Sequence, residues 1–190
     1  IKQDSVGVYD GSDWEVSESP DAGKQEVREE LDTLIDEAKI QSPVVIEQPP
    51  ARGYVGVWGI KGRGDMLALW ESPEGGIIAH IFEIKASSDV QPYHQIQAGI
   101  YAIIFEDILQ PLVDELQVRI SVVHRESDSL DFKNPEEIQT IAEPEVVRAD
   151  VRRLLREDGT IDNIYEQDEV NYALTGKCNT CLYNEEGFRH

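Results

Sequence analysis

Nine consecutive residues, Ile77-Ile78-Ala79-His80-Ile81-Phe82-Glu83-Ile84-Lys85, constrain the fold of this chain more than any other stretch. They follow Glu71-Ser72-Pro73-Glu74-Gly75-Gly76, whose Ser, Pro and paired Gly specify a turn. Ahead of the turn runs a second apolar stretch, Asp65-Met66-Leu67-Ala68-Leu69-Trp70. Two β-rich runs joined this closely predict an antiparallel hairpin. The 77–85 strand is apolar until its end, where a carboxylate and an ammonium stand two residues apart. Residues two apart share a face of a strand, so Glu83 and Lys85 project together, and Phe82 and Ile84 are assigned to the opposite, core face. Charges in such a setting are costly unless they are paired or bind metal. The hairpin also brings Asp65 beside Glu83.

The rest of the chain supplies layers around this hairpin. Residues 1–21 are polar and acidic and read as a loop or loosely packed arm. Apolar residues at 27, 31, 34, 35 and 38 form a helical stripe over 25–38. Val44-Val45-Ile46 reads as a short strand, ended by Pro49-Pro50. Gly53 to Ile60 alternates glycine with larger side chains and is expected to be one strand. A helix follows over 93–108, a Val/Ile-rich strand over 117–124, and an amphipathic helix over 144–156. Beyond Asp158 the text is polar loop, with a short helix expected at 170–174. Helix, strands, helix, strand, helix is the order of an α/β layered fold.

Composition narrows the setting. No run reaches the length of apolar sequence that a membrane span requires. No basic and apolar leader opens the chain at Ile1, so the expectation is a cytoplasmic protein without a membrane partner. Asp and Glu number 38 against 17 Lys and Arg, a formal net charge of −21. Such a field repels phosphate backbones at low salt. Either cationic partners or a salt-saturated, halophilic cytoplasm would account for it. Acids spread over the whole chain favour the second, because at molar salt the Debye length falls to about 3 Å and the repulsion is screened.

Asp65, Glu83 and the Ile84 backbone carbonyl form a set of hard oxygen donors of the kind Mg²⁺ or Mn²⁺ prefers. Such an ion polarises a scissile phosphate and acidifies a water. Lys85 is suited to orient that water or to balance developing negative charge. The plain alternative is a surface cross-strand pair plus a turn acid. Two features weigh against it. Gly62-Arg63-Gly64 leads into Asp65, and Gln97 and Tyr101 stand four apart on the next helix, hence on one face.

The order Gly-x-x-Asp (62–65), Glu-Ile-Lys (83–85) and Gln-x-x-x-Tyr (97–101) resembles the RecB-type branch of the PD-(D/E)XK nucleases. That branch includes helicase-linked RecB nuclease domains and CRISPR adaptation nucleases with an iron–sulfur cluster. The resemblance covers roughly 52–125 well and implies a restriction-endonuclease-like fold, a central mixed sheet flanked by helices. It also implies divalent-metal catalysis and a DNA substrate, commonly single strands or ends. Asp65, Glu83 and Lys85 would then be catalytic, with Gln97 and Tyr101 contacting DNA or bracing the site. Arg63 could reach a phosphate, a helicase or other repair or adaptation proteins would be partners, and residues 22–175 would form the nuclease domain.

The pattern departs from the family in two places. RecB-type enzymes often carry a His ligand before the first catalytic acid, whereas this chain has no His before His80. Glu26 or Glu30 on the first helix, or less readily Glu47, could replace it. Near the C-terminus, residues 176–190 carry a single CxxC, Cys178 and Cys181. Four ligands are normal for an iron–sulfur cluster or structural zinc. The pair is a truncated cluster site with its other ligands outside these 190 residues, a remnant, or a zinc site shared between chains, with His190 a speculative third ligand.

Overall fold

The computed structural model describes residues 6–38, 43–85, 92–124 and 144–165. Its strands are β1 (Gly7–Asp10), β2 (Val44–Glu47), β3 (Pro50–Val55), β4 (Trp58–Arg63), β5 (Met66–Glu71), β6 (Ile77–Lys85) and β7 (Leu116–His124). Its helices are α1 (Pro20–Ala38), α2 (Pro92–Leu109), α3 (Pro144–Leu155) and α4 (Thr160–Tyr165). Five strands form one mixed sheet in the order β1-β2-β5-β6-β7, and β3 and β4 form a separate hairpin. β2, β5 and β6 are antiparallel in turn, while β7 lies parallel to β6. A parallel neighbour needs a long crossover, and the chain between β6 and β7 contains α2. The expected mixed α/β sheet with flanking helices is therefore present. Among the described residues, no helix is long and apolar enough to cross a membrane.

Side-chain alternation divides the sheet into two unequal faces. Val44 and Ile46, Leu67 and Leu69, Ala79 and Ile81, and Val118, Ile120 and Val122 enter the main core. Val27 and Leu31 of α1, Ala98, Ala102 and Phe105 of α2, and Val147 and Val151 of α3 enter the same cluster. The opposite face holds a smaller cluster of Ala68, Phe82 and Val123. Phe82 and Ile84 therefore do not face the main core, as alternation alone suggested. Phe82 belongs to the minor cluster, and Ile84 is exposed. Glu83 instead sits in register with Val122, on the helix-covered face.

Three further expectations need correction. Residues 1–21 are not simply a loop: β1 pairs in parallel with β2, and α1 already begins at Pro20. The 53–60 stretch is not one strand but the centre of the β3–β4 hairpin, with Val55 opposite Trp58 across Gly56-Val57. Gly56 has φ +61°, and a Cβ there would lie 2.1 Å from the Leu155 carbonyl oxygen, so both the turn and the approach of α3 require glycine. α4 lies in a stretch read as loop. The expected 170–174 helix and the 176–190 segment fall outside the described residues.

Cationic side chains tie the layers together. Arg28 of α1 donates to the Asp107 and Ile108 carbonyls at the end of α2, satisfying acceptors that a helix C-terminus leaves open. Arg148 of α3 pairs with Glu106 of α2. Arg52, nearly fully buried, donates to the carbonyls of Ser17 (3.2 Å) and Gly62 (2.7 Å), clasping the hairpin to the segment before α1.

Candidate metal centre

Asp65 lies immediately before β5, and its carbonyl accepts from the Gln48 N–H at 3.0 Å. Met66 pairs with Phe82, so continuing the register by one residue sets Asp65 opposite Glu83. The Ile84 N–H donates to Asp65 Oδ2 at 2.6 Å, which holds the carboxylate against the end of β6. Glu83 is fully buried. Its Oε1 is paired with Lys85 Nζ, while Oε2 is buried without a hydrogen-bond partner. Burial above all pushes the Glu83 pKa up; the bond from Lys85 opposes this, and the neighbouring Asp65 carboxyl, within hydrogen-bonding reach, adds to it.

α2 completes the cluster. Lys85 Nζ also donates to Gln97 Oε1 at 3.1 Å. Burial above all holds the Tyr101 pKa above its usual value; the Gln97 side chain opposes this, and the Glu83 and Asp65 carboxyls add to it. Tyr101 is only 8% exposed, so bracing the site fits its position better than substrate contact. A Cβ at Gly62 would stand 3.0 Å from the Tyr101 hydroxyl oxygen and 3.1 Å from its ring. The glycine before Asp65 thus serves clearance under Tyr101. A tight turn does not explain it, since Gly62 and Gly64 are absent from the positive-φ residues. Arg52, which the sequence did not single out, fixes the Gly62 carbonyl from behind.

The structure thus unites Asp65, Glu83, Lys85, Gln97 and Tyr101, and separates other candidates from them. Arg63 donates to the carbonyls of Gly11 (2.7 Å), Gln48 (3.1 Å) and Ser12 (3.3 Å), so its guanidinium supports the fold where a phosphate contact was expected. Glu26 Oε2 accepts from the Ser17 N–H at 2.5 Å, clasping the segment before α1. Glu30 is exposed on α1. Glu47 pairs with Met66, on the sheet face opposite Glu83. Cys178, Cys181 and His190 lie outside the described residues, and with them the expected iron–sulfur or zinc site.

The donor set fits a hard divalent cation. Two carboxylates abut, and one buried oxygen, Glu83 Oε2, has no partner. Mg²⁺ is commonly held by one or two carboxylates plus waters. Among the described residues no group of three or more His, Cys, Asp or Glu converges on one point. A cavity of about 810 Å³ lies elsewhere, bordered by His80, Glu115, Arg119, Ser121 and Arg148, and none of the five clustered residues lines it.

No family model matches the chain, and comparison with curated proteins gives no match. Among solved structures, the chain has a likeness to the Legionella pneumophila effector protein RavZ in complex with human LC3B. The identity is 11% and the TM-score 0.28, over 78% of this chain and 39% of that one. At this TM-score the likeness carries no structural or functional argument, and the chain spans about two fifths of that protein's length.

Proposed function

We propose that the chain is a divalent-metal-dependent deoxyribonuclease of the PD-(D/E)XK type, resembling its RecB-type branch. The observation that carries this reading is the buried Glu83 carboxylate, with one oxygen on Lys85 and the other unpartnered, set against Asp65. A fold keeps so costly a group where it serves chemistry. Asp65 and Glu83 would hold Mg²⁺ or Mn²⁺, which supplies Lewis-acid charge to the phosphate and acidifies a water. Lys85, fixed between Glu83 and Gln97, orients the attacking water and balances the negative charge that builds on the phosphate. Gln97 holds that ammonium in place, one helical turn from Tyr101. Asp65 keeps its orientation through the Ile84 N–H. A helicase, repair or adaptation partner belongs to this reading as a proposal that rests on the resemblance.

The test is Mn²⁺-dependent cleavage of single- and double-stranded DNA at high KCl. Asp65→Asn and Lys85→Ala are each expected to lose cleavage while keeping the wild-type circular dichroism spectrum, because ion and positioned water are needed together. Cleavage that survives in Asp65→Asn would place the site elsewhere. A second reading, a nuclease-fold scaffold without catalysis, draws on the engagement of Glu26 with Ser17, which leaves two acids at the site. Under it, folded wild-type protein binds Mn²⁺ no better than Asp65→Asn and cleaves nothing.

A further inference from the structure

The cavity of about 810 Å³ lies along β7, the last strand of the sheet. Val118 faces the helices, and Arg119 and Ser121, by alternation, face the other way; all three border the cavity. It therefore straddles the outer edge of β7 as a cleft. The β5–β6 turn contributes Glu74, and α2 and α3 contribute Glu106, Glu145 and Arg148. Its apolar wall is Ile77, Leu116 and Val118, with Ile77 and Leu116 in register on neighbouring strands.

The charges of this lining do not cancel. Arg148 pairs with both Glu106 and Glu145. Arg119 donates to Gln117 at 3.1 Å and stands 5.9 Å from the centre of the Trp70 ring. His80 adds no charge at neutral pH, because burial and Arg119 lower its pKa to about 4. Glu74 and Glu115 remain, exposed and without an ion-pair partner among the described residues. They are neighbours: the Ile77 N–H donates to the Glu115 carbonyl at 2.8 Å, and a Cβ at Gly76 would lie 2.6 Å from the Glu115 Cβ. Glu115 thus abuts the turn that carries Glu74. A second observation points the same way. Arg148 is only 6% exposed, and its buried Nε–H has no acceptor.

We infer that this cleft docks an extended lysine-rich peptide segment of a partner protein. Lysine ammonium groups meet the Glu74 and Glu115 carboxylates, and their aliphatic stems lie along Ile77, Leu116 and Val118. A backbone carbonyl of the peptide is the acceptor that Arg148 Nε lacks. The volume falls within the range of about 300–1,000 Å³ usual for binding clefts, room for a short segment rather than a folded surface. The net charge of −21 draws a cationic partner toward the protein, and the two unpaired carboxylates give it a place to land. A nucleic-acid strand would set its phosphates against those same carboxylates. None of the five residues of the metal centre borders the cleft, so docking there stands apart from cleavage.

The probe is a fluorescein-labelled, end-capped heptapeptide of alternating lysine and valine, with binding to the whole chain read by anisotropy. The buffer holds about 0.15 M KCl, where the Debye length of about 8 Å screens distant charges. Glu74→Gln/Glu115→Gln should weaken binding about tenfold. Glu29→Gln/Asp32→Asn removes the same charge from the exposed side of α1 and should stay within about twofold of wild type. Both pairs are exposed, so circular dichroism should show the wild-type fold in each. Spermidine, which carries ammonium groups on an aliphatic chain but no carbonyl, should displace the peptide only at about tenfold or greater excess over the peptide's own Kd. Wild type that ignores the peptide, or equal weakening in both double variants, overturns the proposal, the latter because general acidity then explains the binding. Spermidine that competes as well as unlabelled peptide also overturns it, since the cleft then reads ammonium alone.

Discussion

Removing the buried pair Glu83 and Lys85 together should make the protein more stable and functionless. Glu83 is fully buried on the core face, and the Lys85 side chain is 20% exposed. Replacing a buried ion pair by apolar residues of similar volume is often neutral or stabilising by about 1–4 kcal/mol, while removing one partner costs about 3–5 kcal/mol. Partial exposure of Lys85 moderates both figures, so Glu83→Leu/Lys85→Met should gain about 1–2 kcal/mol. For a chain of this size each kcal/mol moves the melting temperature by about 2–4 °C. The double variant should therefore melt about 2–8 °C above wild type in metal-free buffer at neutral pH. Lys85→Met alone leaves Glu83 buried beside Asp65 without its counter-ion and should melt below wild type.

The pH dependence gives a second handle on the same pair. Burial raises the pKa of Glu83 in the folded protein above 4.5. The folded state then binds more protons than the unfolded one between 4.5 and the raised value. The contribution of this group is fully present below its unfolded pKa and is lost as pH rises through the folded one. The advantage of the double variant should accordingly widen as pH rises from 4.5 through the raised value. Mn²⁺ at a hundred times its Kd should stabilise wild type by about 2.7 kcal/mol and leave the double variant unmoved. A double variant that melts below wild type, or an advantage that shrinks as pH rises, would mean that the pair supports the fold and refute the reasoning.

Three other outcomes follow from separate parts of the structure. Gly62→Ala places a methyl group 3.0 Å from the Tyr101 hydroxyl oxygen, so Tyr101 must shift; the Mn²⁺-dependent cleavage rate should fall about tenfold, as expected when supporting geometry moves by a fraction of an ångström, with little change in melting temperature. His80 is held neutral, its pKa lowered to about 4 by burial and by Arg119; its contribution is present above the unfolded value of 6.5 and lost as pH falls toward 4, so His80→Gln should flatten the acid limb of the stability curve by roughly 2–4 kcal/mol in chemical denaturation. With a formal charge of −21, the melting temperature should rise as KCl approaches molar concentration, where screening relieves self-repulsion; a flat or falling trend in a thermal scan removes the support for a halophilic origin.

Periodicity located most elements but left open which face of the sheet the helices cover. Alternation along 77–85 separates Ile81 and Glu83 from Phe82 and Ile84 and is silent about which pair the helices cover. The bulk of Phe82 and Ile84 drew the core to the wrong side. The β3–β4 hairpin escaped for a related reason: Gly56-Val57 sits within an alternating stretch, so two strands and a two-residue turn look like one strand. β1 was illegible because its partner lies far along the chain, at Val44–Glu47, and four residues among Asp, Ser and Gly carry little local signal. Nothing in the local sequence singles out Arg52. Its burial comes from carbonyls ten and thirty-five residues away, which no local pattern encodes. Asp65, Glu83, Lys85, Gln97 and Tyr101 were legible because their proximity follows from two local rules, a hairpin register and helical spacing.

The mixed character of the sheet explains why the candidate site sits where it does. Asp65 stands at the beginning of β5 and Glu83 near the end of β6, and only an antiparallel pair joined by a short turn places a strand's start beside its neighbour's finish. The parallel pair β6 and β7 then aligns Lys85 with His124, so two strands end on the same side of the sheet. The chain from the first of them returns through α2, whose first turns lie at that end. Ligand sites in open α/β sheets form outside such carboxyl ends. One helix does both tasks here: Ala98, Ala102 and Phe105 lock α2 into the core, while Gln97 reaches Lys85 and Tyr101 lies near the acids. A shift of α2 along its axis would therefore cost core packing before it could loosen Lys85. That coupling holds a half-buried ammonium in one position between the Glu83 carboxylate and the Gln97 amide.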